Sequence, residues 1–99
     1  MKKILKEKRA QFMEQTFSSE ELTYCQSFKD SAHHFAGTFA AKEAVRKATG
    51  KLALSFKEIE IRRNKNGKPE LFLRGKRAKN VSVSISHTET LATAVAIEA

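Results

Sequence analysis

Phe35-Ala-Gly-Thr-Phe-Ala-Ala-Lys-Glu-Ala-Val-Arg-Lys-Ala-Thr-Gly50 reads as one helix closed by a glycine able to take the left-handed conformation. Phe35, Phe39, Glu43 and Lys47 follow at i,i+4 steps and therefore line one stripe. Ala32, Ala36, Ala40, Ala44 and Ala48 form a second stripe almost without bulk, suited to close approach of a sheet or another helix. A carboxylate and an ammonium one turn apart, beside two aromatic rings, can serve as a metal ligand and a phosphate ligand. They can equally be a surface ion pair worth a few tenths of a kcal/mol, roughly the usual value on helices.

Upstream, Ile4, Leu5, Ala10, Phe12 and Met13 spaced among charges give a weak helical pattern over 2–15. Ser18-Ser-Glu-Glu-Leu22 is a helix start, a serine cap with acids in the first turn, and this helix runs to about Ser27. Asp30 or Ser31 can cap the helix that follows. Downstream the pattern changes. Phe56 to Ile61 alternates at its end, with Ile59 and Ile61 opposite Glu58 and Glu60, as in a half-buried strand. Asn64-Lys-Asn-Gly67 is a turn, and Leu71 to Leu73 is a returning strand. A basic loop spans 74–80. Val81, Val83 and Ile85 then alternate with Ser82, Ser84 and Ser86, and a turn at 87–90 leads to a last strand from Leu91 to Ile97. Helices first and an antiparallel meander afterwards make an α+β fold, with a helical first half on a small antiparallel sheet and residues 1–99 as a single domain.

Composition narrows the partners. The net charge is +8, and it is uneven: residues 2–9 hold five basic side chains and one acid, and residues 62–79 hold eight and one. Such patches suit nucleic acid, acidic proteins or phosphate-rich cofactors. The basic loop has no interleaved aromatics, which weakens a base-stacking reading. Neither G-x-G-x-x-G, a Walker A pattern nor G-x-S-x-G occurs. Cys25 is the single cysteine, so internal disulfides and cysteine metal centres are excluded, and a cytoplasmic setting is the simplest. No run approaches the roughly 20 apolar residues of a membrane span.

His87 ends the serine-alternating strand between Ser86 and Thr88, where a histidine can bind phosphate, shuttle a proton or simply satisfy a turn. Lys68, between Gly67 and Pro69, is either turn chemistry or a phosphate contact. His33 and His34 have no partner at metal-ligand spacing and read as the solvated first turn of the helix.

In this order the pieces resemble the holo-acyl-carrier-protein synthases, the small trimeric branch of the 4′-phosphopantetheinyl transferases. The resemblance rests on Phe35-Ala-Gly37, Phe39-Ala-Ala-Lys-Glu-Ala44, Lys47, Gly50, Phe56 to Ile61, Asn66-Gly-Lys-Pro69 and Val83-Ser-Ile-Ser-His-Thr88. Phe12 and Ser19-Glu-Glu-Leu22 also look like the family's preceding segment. The resemblance implies a Mg2+-dependent transfer of phosphopantetheine from coenzyme A to a carrier-protein serine, releasing 3′,5′-ADP. By position it implies Glu43 as metal ligand and Glu43, Lys47 and His87 as the catalytic set. Coenzyme contacts would be Phe39, Lys47, Gly50, Asn66, Gly67, Lys68, Pro69, Ser86, His87 and Thr88. An acidic acyl carrier protein would meet Lys6, Lys8, Arg9 and Phe12, and the site would lie between subunits of a homotrimer. No membrane partner is implied.

Two departures bear on this. Members of the family begin with a short strand whose Asp is a further metal ligand. Here Met1 falls where their first helix begins, and Asp30, the only Asp, does not match that position. Arg46 stands where the family usually has Ser. The readings are therefore an active transferase, a truncated or impaired member that only binds coenzyme A or carrier protein, or a basic nucleic-acid-binding domain.

Overall fold

The computed structural model describes residues 2–51, 53–88 and 91–99, with side chains from residue 7 onward within those ranges. Three helices come first: α1 (Lys2–Thr16), α2 (Ser19–Gln26) and α3 (Ser31–Thr49). A 3-10 turn (Phe56–Glu58) leads into β1 (Ile59–Arg63), β2 (Pro69–Leu73), β3 (Lys76–Arg77), β4 (Val81–His87) and β5 (Ala92–Glu98). The α+β architecture is as expected, but the strands form two antiparallel sheets, β1-β2-β3 and β4-β5, and not one meander.

Local chemistry sets the element ends. Ser18 and Glu21 form a reciprocal capping box, each side chain accepting from the other's backbone N–H, at 3.2 and 2.9 Å. Gly50 ends α3 at φ 70°. Asp30 occupies the N-cap position of α3 without a side-chain cap bond; its carboxylate pairs with His33 instead. The segment expected to start a strand at Phe56 begins with the 3-10 turn. Ser55 and Glu58 form a second capping box there, and pairing starts only at Ile59. Within the basic loop, Arg74 and Gly75 both take positive φ, a two-residue hairpin turn that pairs β3 with β2.

The β1–β2 register sets Ile61 against Leu71 and Ile59 against Leu73. Their inward side chains join Ala41, Val45, Leu54 and Val81 in the core. Val83, Ile85, Ala94 and Ala96 pack on it from the second sheet. The face of α3 that packs inward is Gly37, Thr38, Ala41, Lys42 and Val45. The alanine stripe is therefore not the packing face: Ala32, Ala36 and Ala48 are exposed, and Ala40 and Ala44 are half-buried. Gly37 is where helix and β4 come closest, because a Cβ there would meet Ile85 Cγ2 at 2.9 Å.

Candidate active site

The stripe Phe35-Phe39-Glu43-Lys47 is divided by its neighbours. Phe35 packs on Phe17 at 5.0 Å between ring centroids, and Phe39 meets Phe12 at 5.8 Å and Phe56 at 5.2 Å. Arg46 lies over the Phe56 ring at 4.6 Å and adds a cation to the aromatic row. Glu43 and Lys47, past that row, are exposed on the same face. Gly50 is exposed at the end of the helix.

The orientation of that face depends on a residue that sequence reasoning missed. Lys42 is sealed from solvent and its Nζ lies 2.6 Å from Glu21 Oε1. The ammonium also donates to the carbonyls of Thr16, Phe56 and Ile59, at 2.9, 2.8 and 2.6 Å. Glu21 Oε2 accepts from Ile61 N–H at 2.7 Å. One ion pair thus joins α1, α2, α3 and β1. Burial pushes the Glu21 carboxyl up and the Lys42 ammonium down, while their mutual attraction and hydrogen bonds pull each back toward the charged form. With Lys42 fixed inward, its neighbour Glu43 is turned outward. A lysine inside the apolar pattern, at the packing-face spacing with Ala41 and Val45, was the available signal.

His87 lies elsewhere. Its ring is 5.9 Å from that of His33 and 5.2 Å from that of His34, in the first turn of α3. Those two histidines are half-buried, not solvated as expected, because Phe28 stacks on His34 at 3.7 Å and β4 ends beside them. Glu43 is nine residues beyond His34, roughly 14 Å along the helix axis. One chain therefore holds Glu43 with Lys47, and His87, at different levels of α3.

The Asn66–Pro69 segment is held by Asn64. Its Oδ1 accepts from the N–H groups of Asn66 and Lys68, at 2.8 and 3.0 Å. Gly67 takes φ 79°, and Asn66, Gly67 and Lys68 are exposed with Pro69 half-buried. Arg63 links this loop to His87. Its guanidinium reaches Gly67 O at 3.4 Å, and it lines a pocket with His33, His34 and His87. Ser86 and Thr88 are exposed beside it.

On α1, Lys8 and Arg9 are exposed, Phe12 is 49% exposed, and the Lys6 side chain lies outside the described residues. Among the described residues no group of three His, Cys, Asp or Glu side chains could enclose a metal. Glu43 offers one exposed carboxylate, a donor that would hold Mg2+ only together with several waters. A groove of about 510 Å3 between α2 and β1–β2, lined among others by Glu20, Arg62 and Phe72, contains none of the sequence-predicted site residues.

A family model described as the 4′-phosphopantetheinyl transferase superfamily matches residues 1–96. A holo-[acyl-carrier-protein] synthase of Caldanaerobacter subterraneus is 42% identical over 107 aligned residues, covering 98% of this chain and 84% of that one. The chain belongs to the holo-acyl-carrier-protein synthase family. Solved structures of the family superpose closely. The Helicobacter pylori synthase in complex with coenzyme A gives a TM-score of 0.78 at 30% identity, covering 99% of this chain and 90% of that one. The Bacillus anthracis synthase in complex with CoA (3′,5′-ADP) gives 0.75 at 34%, covering 94% and 84%. A holo-acyl-carrier-protein synthase is a phosphopantetheinyl transferase.

Proposed function

We propose that this synthase transfers 4′-phosphopantetheine from coenzyme A to a serine of an acidic acyl carrier protein, in a cytoplasmic pathway of fatty-acid synthesis. The observation that carries this reading is the exposed Glu43–Lys47 pair, held in one orientation by buried Lys42. A carboxylate and an ammonium one helical turn apart can both reach one diphosphate.

The serine Oγ attacks the β-phosphorus, the bond to the bridging oxygen breaks, and 3′,5′-ADP leaves with that oxygen. Glu43 accepts the serine proton through a water. Lys47 offsets the charge that grows on the departing phosphate. When bound, Mg2+ supplies further charge neutralisation at the diphosphate, with Glu43 as its protein ligand. Phe39 and Gly50 border this half of the site. Asn66, Gly67, Lys68, Pro69, Ser86, His87 and Thr88 contact the nucleotide.

The separation of Glu43 from His87 along α3 favours a site shared between copies, with each supplying one half. The outer face of β4–β5 suits that contact. Leu91, Val95 and Ile97 are 68, 58 and 64% exposed, and the β4 partners across the register from Val95 and Ile97 are the small Ser84 and Ser82. A homotrimer is the assembly we infer. Lys6, Lys8 and Arg9 steer the acidic carrier, and exposed Phe12 anchors it, so the encounter weakens with salt.

A second reading, a member that binds coenzyme A without efficient transfer, is kept by the lack, among the described residues, of a group of three His, Cys, Asp or Glu side chains that could enclose a metal. Mass spectrometry of apo carrier protein incubated with the chain, coenzyme A and Mg2+ separates the two. A pantetheine adduct supports transfer; coenzyme binding with no adduct at high enzyme concentration overturns it.

A further inference from the structure

Beyond Gly50, Lys51, Ala53 and Leu54 line a surface pocket of about 490 Å3 together with Leu73, Arg74 and Lys76 of the β2–β3 hairpin. The pocket lies off the C-terminal end of α3, the end that carries Glu43 and Lys47. Its floor is apolar: Leu54 is 8% exposed and Leu73 is half-buried. Lys51, Arg74 and Lys76 stand exposed around that floor. Among the described residues, Lys51 and Lys76 are in no ion pair, and the carboxylate at this rim is Glu58, 2.8 Å from Arg74 Nε.

Arg74 is held in an unfavourable place. It has φ 50°, the left-handed region that favours Asn, Asp or Gly in such a turn. Its backbone N–H donates to Glu58 O at 2.9 Å and its Nε to Glu58 Oε2 at 2.8 Å. A guanidinium is thus kept at the rim where the turn itself asks for a small residue.

We propose that this pocket is a docking point for the acidic carrier protein. One apolar side chain of a carrier helix rests on Leu54 and Leu73, and carboxylates beside it meet Lys51, Arg74 and Lys76. The proposal rests on the carrier reading above and adds a contact separate from α1.

Three cations set apart around an apolar floor match several carboxylates flanking an apolar side chain, not one anionic head group. A nucleic acid would leave the floor unused, since among the described residues no aromatic ring lines it for base stacking. A bilayer needs apolar side chains that project, and these are recessed. Position adds a further reason. The carrier has to bring its serine to Glu43 and Lys47, and Lys51 follows Lys47 by four residues. A chain of contacts also joins the pocket to the α1 surface. Phe12 meets Phe39, Phe39 meets Phe56, and Glu58, at the end of that 3-10 turn, holds Arg74.

The test is calorimetric binding of apo carrier protein, its acceptor serine replaced by alanine, to the full chain, so that transfer plays no part. Lys51→Glu combined with Lys76→Glu should weaken binding about tenfold or more and make it less salt-dependent. Lys29→Glu combined with Lys65→Glu changes the net charge equally but away from the pocket. The 19 residues of α3, roughly 28 Å, separate Lys29 from Lys51, and Lys65 lies at the other end of β2 from Arg74. That control should bind the carrier as the parent does. Equal weakening in both double variants reduces the effect to overall charge and overturns the docking point.

Arg74→Asn suits the left-handed position and should hold its Tm, yet bind the carrier several-fold more weakly. Unchanged carrier affinity in this variant overturns the proposal. Coenzyme A affinity should stay at the parent's value in every pocket variant; a parallel fall would assign the pocket to the coenzyme instead. Binding of a DNA duplex or of phosphatidylglycerol vesicles that depends more strongly than carrier binding on Lys51 and Lys76 overturns it as well. A parent chain that binds no carrier removes the carrier reading and the docking point together. Carrier binding indifferent to the pocket variants removes the docking point alone.

Discussion

Lys42 and Glu43 are neighbours in sequence and opposites in environment: the first is sealed from solvent against Glu21 at 2.6 Å, the second is exposed. A helix turns by about 100° per residue, so fixing one side chain inward aims the next outward. The buried ion pair thereby sets the direction of the proposed catalytic carboxylate.

Lys42→Met should lower stability by about 3–5 kcal/mol, the usual cost of leaving one member of a buried pair without its partner. Adding Glu21→Leu should recover only part. The carbonyls of Thr16, Phe56 and Ile59 and the N–H of Ile61 would still lack their bonds. Urea unfolding of the single and double variants measures both.

Glu43→Ala and Lys47→Ala should fold as the parent does, since both side chains are exposed. Carrier loading should fall by about 100-fold or more in each, the scale expected for losing a general base or a charge-stabilising donor. Parent-like rates in either variant would remove that residue from the mechanism.

Ile97→Lys should leave the monomer's stability within about 0.5 kcal/mol, yet disperse the oligomer in sedimentation. Loss of carrier loading alongside dispersal would support the shared site. An active monomer would refute it.

Gly37→Val should destabilise by about 1–3 kcal/mol, as overpacking does. The Ile85 methyl 2.9 Å from the added Cβ belongs to a stiff β-branched side chain. A thermal melt reports the loss.

Stability should fall on acidification through the titration of His34. His34 titrates lower in the folded chain than its ordinary 6.5. Its contribution is present above that unfolded value and is lost as pH falls through the folded one. His34→Phe should flatten the Tm profile in this window.

Much of this was legible in the sequence. The helix closed by Gly50, the Ser18 cap, the Asn64–Gly67 turn and the alternating strand at Val81–Ile85 all stand where their residues put them. Each depends on partners a few residues apart. The 3-10 turn at Phe56 was also local, a Ser-x-x-Glu box at Ser55 and Glu58 overlooked beneath a strand-like pattern.

What sequence alone determined, then, was the order of elements, the shared face of Glu43 and Lys47, and a motif series placing the chain in its family. Only the tertiary structure decided that Lys42 is buried, that His33 and His34 meet His87, and that Glu43 and His87 stand apart. The reason is distance along the chain: periodicity and capping act within a turn or two, whereas the Glu21–Ile61 bond spans 40 residues. No local rule chooses a contact of that kind; it is fixed when the helices close over the sheets and every buried polar group must find a partner.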